Sequence, residues 1–382
     1  MATGGDFAAA SNDVGLDLYR LIARGPGNRV FSPASVTLAM AMTWPGARGE
    51  TAAQMREVLR LDGAPDVVAA AAGRLAAALV RTSAPSLLRI ANRLFGDSRT
   101  RFEPAFLELS AAAFGAPLEP VSFADAAGAV RRINGWVEEQ TDDRIRDLMP
   151  ADAVDDSTRL VLVNAVYLLG KWSHPFPTRA TRPRPFSTSP TEQKPVPTMY
   201  QKVVVRFGRA DGLSAVELPY DGGALSMIVV LPDRVDGVGE VERSLTAGGL
   251  EALISSLARK EVAIALPRFE VSPPGLRMND LLREIGLSLP FDRARADFRG
   301  IADPADPADQ LYVSDVFHKA FVRTDEAGTE AAAALAVSMA LRGGPPPPTL
   351  EFTVDHPFMF FIVHAATRLI LFMGRVADPA AR

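Results

Sequence analysis

Apolar residues in the first 150 positions recur at helical spacing, whereas beyond residue 160 they alternate or run together in short blocks. The pattern predicts helices over 34–43, 50–59, 67–80 and 126–140, the last with Val130, Ile133, Trp136 and Val137 on one stripe. A run over 88–95 interrupts them as a strand. Further strands are predicted over 159–169, 203–207, 213–219, 226–231, 261–266, 351–354, 358–364 and 369–376, each bounded by turn residues. Helical inserts fall near 245–257 and 278–285. A length of 382 residues would by itself suggest two or three domains. With no internal repeat and no linker-like segment, the pattern instead reads as one α+β domain over 1–382, helices mainly first and mixed sheets after.

One stretch fits neither class. Asp325-Glu326-Ala327-Gly328-Thr329-Glu330-Ala331-Ala332-Ala333-Ala334 is almost entirely small, and an apolar tail leads on to Arg342-Gly343-Gly344 and the prolines 345–348, an extended stiff spacer. By propensity, 329–342 is an alanine-rich helix with Thr329 able to cap its start. Read with period two, Thr329, Ala331, Ala333, Leu335, Val337, Met339 and Leu341 form a progressively apolar face. Glu330, Ala332, Ala334, Ala336, Ser338 and Ala340 form a small one. That alternation suits a strand with one buried side. A charge or proline would obstruct such burial, and 331–334 contain neither.

Composition narrows the chemistry. The charge sum of −4 gives no reason to expect nucleic acid or an anionic membrane as partner. There are five lysines, so arginine carries nearly all the positive charge; with abundant Ala and Pro, this reads as codon use in a GC-rich, bacterial genome. The absence of cysteine removes disulfides, thiolate catalysis and Cys-ligated zinc. Residues 1–12 show no secretory signal, and apolar runs such as 160–169 are too short to span a bilayer. Nucleophile-elbow, zinc-helix, Walker and dinucleotide motifs are all missing, and Gly237-Val238-Gly239 reads as a turn. His174, His318, His356 and His364 are scattered and read as structural hydrogen-bonding residues. Ser32 and Ser35 have no local base. No metal or cofactor is expected, and no catalytic residue.

Ordered motifs along the chain resemble the serpin family of serine protease inhibitors. They include Asn28-Arg29-Val30-Phe31-Ser32-Pro33-Ala34-Ser35, Gly46-Ala47-Arg48-Gly49-Glu50-Thr51, Ile133-Asn134-Gly135-Trp136-Val137-Glu138 and Leu162-Val163-Asn164-Ala165-Val166-Tyr167 with Lys171-Trp172. Further on come Glu217-Leu218-Pro219-Tyr220, Leu266-Pro267-Arg268-Phe269, Val313 through Ala320, Asp355-His356-Pro357-Phe358 and Phe372-Met373-Gly374-Arg375-Val376. The resemblance implies three β-sheets, eight or nine helices and an exposed reactive loop over 326–348. A protease attacks the loop, and the cleaved loop inserts into the main sheet and traps the acyl-enzyme.

By family spacing from Gly328, the scissile bond is Arg342–Gly343, implying a trypsin-like target; cleavage after Leu341 or Met339 would implicate chymotrypsin- or elastase-like ones. Papain-like proteases, or a non-inhibitory carrier or chaperone role, are the alternatives. The hinge maps to Glu326 through Ala334. Ser32, Ser35, Asn164 and His318 map to a hydrogen-bonded shutter, and Trp172 to the place where the loop first enters. Leu335 stands where the family often has a hydroxyl residue. A heparin-type cofactor is not implied, since 67–80 hold one basic residue, Arg74. A monomer, covalently joined to its target protease, is expected. It would work outside the cell by family custom, or in the cytoplasm if Met1 is the native start.

Overall fold

The computed structural model describes residues 4–82, 85–115, 117–304, 310–329 and 350–381. In chain order the first elements are α1 Gly4–Ile22, β1 Arg29–Phe31, α2 Pro33–Thr43, α3 Gly49–Val58, α4 Pro65–Thr82, β2 Leu87–Asp97, α5 Pro104–Phe114, β3 Glu119–Val121, α6 Ala126–Gln140 and β4 Leu160–Lys171. Then follow β5 Arg182–Ser189, β6 Glu192–Ala210, β7 Leu213–Pro219, β8 Leu225–Pro232, α7 Val238–Ser244, α8 Ala247–Ser256, β9 Ala258–Pro267, β10 Phe269–Val271, β11 Leu276–Arg277 and α9 Asn279–Glu284. The chain closes with β12 Asp315–Thr324, β13 Gly328–Thr329, β14 Leu350–Thr353, β15 Phe358–His364 and β16 Ile370–Val376.

The main sheet runs β10-β12-β13-β4-β2-β3, with β11 beside β12. The remaining nine strands are hydrogen-bonded continuously and divide along the long β6, giving three sheets in all. The first half of β6 carries β5; its middle pairs with β9, which holds β14 at the edge. Its last residues carry β7, and through it β8, β15, β16 and β1.

The central strand β4 is buried on both faces, and its alternation sorts side chains between two cores. Leu160, Leu162, Val166 and Leu168 enter the main core. Val161, Val163 and Ala165 join Phe317 and the α6 stripe, Val130, Ile133, Trp136 and Val137, in a second core. Helix α2 lies wholly buried in the main core beneath this sheet. Ser32 starts it as N-cap, its Oγ accepting from Ser35 N–H at 3.3 Å, with Pro33 in the first turn.

Several elements differ from the pattern reading. Helices α1, α5 and α7 and the short strands β1, β3, β10 and β11 are not predicted by it, and Gly237-Val238-Gly239, which reads as a turn, leads into α7 at Val238. Strand β5 and the first half of β6 form an edge hairpin in which Pro183 faces Pro197 and Pro185 faces Pro195. Prolines read as breakers, but at an edge their missing N–H groups cost little. Strand β12 reads as polar because Asp315, His318, Lys319 and Arg323 interrupt it. Thr329 does not cap a helix; it belongs to β13.

Candidate functional site

Strands β4 and β12 lie side by side and parallel, paired from Val161 with Asp315 to Tyr167 with Phe321. Above that the sheet forks. The last residues of β12 turn their hydrogen bonds toward β10, Val322 pairing with Val271 and Thr324 with Phe269. The first residues of the expected hinge occupy the fork, antiparallel to both sides. Gly328 pairs with Lys171 and Thr329 with Gly170, while Thr329 also pairs with Thr324.

Trp172 fixes this segment from beneath. Its ring stacks on Tyr220 with centroids 4.7 Å apart. Its indole N–H donates to Asp325 O at 3.0 Å and its backbone N–H to Ala327 O at 2.9 Å. Phe176 N–H donates to Glu326 O at 2.8 Å. The Glu326 carboxylate is bound by Arg268, with Nε at 2.9 Å, and by the Thr181 hydroxyl. Burial pushes its pKa up, but those hydrogen bonds outweigh burial and hold it below the usual glutamate value. Thr329 is fully buried, its hydroxyl 2.6 Å from that of Tyr220. Gly328 has φ +151°, and a Cβ there would stand 1.9 Å from Gly170 O, so no other residue fits.

About 20 Å down β4, at six residues and some 3.3 Å per residue, a polar cluster interrupts the apolar face. His318 and Asn164 are neighbours across the strand pair, and both are 0% exposed. The Asn164 amide donates to Ser35 O at 2.6 Å, to Ser35 Oγ at 2.5 Å and to Asn92 Oδ1; its Oδ1 meets His318 Nδ1. Ser32 N–H donates to His318 Nε2 at 3.2 Å. A backbone N–H can only donate, so Nε2 carries the lone pair and Nδ1 the proton. The neutral ring satisfies every partner, and Phe31 meets it edge-on at 5.2 Å.

Burial holds the His318 pKa down, to about 3. The unfolded imidazole takes a proton below about pH 6.5, whereas the folded one does not until far lower. Stability is therefore full above about pH 6.5 and falls by about 1.4 kcal/mol per unit as pH drops toward the folded value. Imidazole nitrogen shifts should report a neutral Nδ1–H ring down to pH 4.5. Titration near pH 6 would break this assignment. His356 shows the opposite sign. Burial lowers its pKa, but both ring nitrogens face acceptors, Asp355 Oδ1 at 2.7 Å and Pro232 O at 2.6 Å, and the net shift is upward.

Thus Trp172, Glu326, Ala327, Gly328 and Thr329 gather at the fork, and Ser32, Ser35, Asn164 and His318 gather in the polar cluster. Glu330, Ala331, Ala332, Ala333, Ala334, Leu335, Met339, Leu341, Arg342, Gly343 and prolines 345–348 lie outside the described residues. Tyr220 and Arg268 stand inside motifs the sequence singled out without a role. Asn92 carried no local signal; the antiparallel pairing of β2 with β4 sets it opposite Asn164. Among the described residues no group of acidic, histidine or cysteine side chains could hold a metal, and no helix is long and apolar enough to cross a membrane.

A family profile described as Serpin (serine protease inhibitor) matches residues 9–379. The chain belongs to the serpin family. Pig leukocyte elastase inhibitor is 38% identical over 386 residues, covering 97% of this serpin and 99% of the relative. Human serpin B8 is 38% identical over 381 residues, covering 98% and 100%. Among solved structures, Serpin48 of the insect Tenebrio molitor is 29% identical with a TM-score of 0.87, covering 98% of each chain. These relatives are animal proteins. Three sheets and nine helices among the described residues are the serpin architecture, and serpins of this kind are protease inhibitors rather than enzymes.

Proposed function

We propose that this serpin, acting as one unit over 1–382, is a suicide inhibitor of serine endopeptidases whose bait is the Arg342–Gly343 bond. The protease serine oxygen bonds to the Arg342 carbonyl carbon as the peptide bond breaks, and Gly343 departs as a free amine carrying the proton. The cleaved loop then runs into the main sheet with the acyl-enzyme attached. The observation carrying this reading is β13. Two hinge residues, Gly328 and Thr329, already sit between β4 and β12 as an antiparallel strand, with Glu326 through Ala334 as the hinge and Trp172 at its mouth.

The register of β13 extends downward by arithmetic. Thr329 faces Gly170 and Thr324, so Leu335, six residues on, would come opposite Asn164 and His318. Directly paired residues share a face. The set Ala331, Ala333, Leu335, Val337 and Met339 would thus point into the main core, and the small set toward the α6 side. Ser32, Ser35, Asn164 and His318 act in this reading as a clasp that must open for the strand to pass.

Arg342 favours trypsin-like proteases, whose acidic pocket takes a guanidinium. A second reading has its own support: several relatives 36–38% identical are named leukocyte elastase inhibitors, and Leu341 and Met339 offer apolar bait. Incubation with trypsin and with elastase, followed by denaturing electrophoresis and N-terminal sequencing of the released fragment, separates them. A band stable to denaturant with trypsin and a fragment starting at Gly343 are expected. Arg342→Ala should slow trypsin inhibition about thirtyfold or more, the scale of a lost desolvated charge pair. A fragment starting at Arg342 or Ala340 moves the bait upstream to the second reading, and cleavage without any complex removes inhibition altogether.

A further inference from the structure

Away from the main sheet, a surface groove of about 750 Å³ opens between α7, α8, the β6–β7 turn and the end of β8. That is the size of a small-molecule site. Leu213, Pro232, Val241, Leu245 and Leu253 supply its apolar lining. Asp211, Asp233 and Glu240 stand on its rim, and among the described residues none of the three forms an ion pair. The one cation lining it, Arg234, is already held by both oxygens of Asp236, at 3.0 and 2.9 Å. The N-terminus of α8, which would favour an anion, is closed by the Thr246 hydroxyl accepting from Gly249 N–H at 3.0 Å.

We propose that this groove binds a small amphiphilic cation, its apolar body on the leucine–valine floor and its amine among Asp211, Asp233 and Glu240. The sign follows from charge complementarity: three carboxylates stand on the rim against one guanidinium, Arg234, whose charge is shared between Asp236 and Glu240, so the rim stays net negative. An apolar ligand without charge would leave those carboxylates beside it with nothing gained, and an anion would be repelled. The site shares no residue with the fork or the polar cluster, so it stands independently of the inhibitory reading.

The test uses three probes of one shape, 4-phenylbutylamine, 4-phenylbutanol and 4-phenylbutyrate, titrated into the full chain by calorimetry with amide NMR. Saturable one-site binding of the amine is expected, at least about tenfold tighter than the alcohol or the acid, with shifts confined to α7, α8 and the β6–β7 turn. Asp233→Asn with Glu240→Gln should remove that preference, and Leu253→Arg should abolish binding, both with an unchanged melting temperature as the check on folding. Equal binding of the three probes, no saturable binding of the amine, or a preference that survives the double variant would each overturn the proposal. If Leu253→Arg melts early, the double variant decides alone.

Discussion

Thr329→Arg is expected to turn this serpin from inhibitor into substrate: trypsin should cleave the variant and leave active, with no complex band. The reason lies at the fork. Thr329 is fully buried against Tyr220, between Gly170 of β4 and Thr324 of β12. A guanidinium there would replace a hydroxyl packed against the Tyr220 hydroxyl, and a buried charge left unpaired costs several kcal/mol. The side chain would be expelled, β13 would dissolve, and every later pairing would wait on that first residue. Hydrolysis of the acyl-enzyme then wins the race. Stoichiometry of inhibition measures the outcome. A variant that still traps trypsin one-to-one would show that strand addition does not start at Thr329.

Cleavage of the loop is expected to raise the melting temperature sharply. About a dozen new backbone hydrogen bonds, at roughly 0.5–1.5 kcal/mol net each, supply on the order of 10 kcal/mol. At some 2 °C per kcal/mol for a large domain this corresponds to about 20 °C. Leu335 should take part of it back. Passing between Asn164 and His318 separates a hydrogen-bonded pair, and a leucine offers neither of them a partner, at about 1–3 kcal/mol for each group left unsatisfied. Leu335→Thr restores a hydroxyl at that point, so its cleaved form should melt a few degrees above the cleaved parent, by the same conversion. Calorimetry before and after limited proteolysis reads both effects. No gain on cleavage would exclude insertion, and a threonine variant with no further gain would place another residue opposite the clasp.

The sequence was most legible where one period dominates. The α6 stripe and the apolar block of β4 announce themselves, because each buries a regular set of side chains. Strand β12 is obscured by polar residues whose partners are distant: Arg277 binds Asp315, the β4 and α2 groups hold His318, and Lys319 Nζ donates to Arg146 O at 2.8 Å. Nothing local foretells those pairings. The fork follows the same rule. Gly328 and Thr329 could be named from their motif, whereas Tyr220 and Arg268 join them, and Asn92 joins Asn164 in the polar cluster, only once strands far apart in the chain have paired.

Gly328 sets where the strand starts. Since only glycine can pass so close to Gly170 O, the strand can begin in a single register, and that glycine becomes the zero mark of a ruler. Distance along the loop is then counted in whole residues, each worth about 3.3 Å and a change of side. One residue added after Ala334 would leave the mark in place, exchange the two faces of everything beyond it, and carry the bait one division further out. Loop length and loop composition are therefore a single inherited quantity.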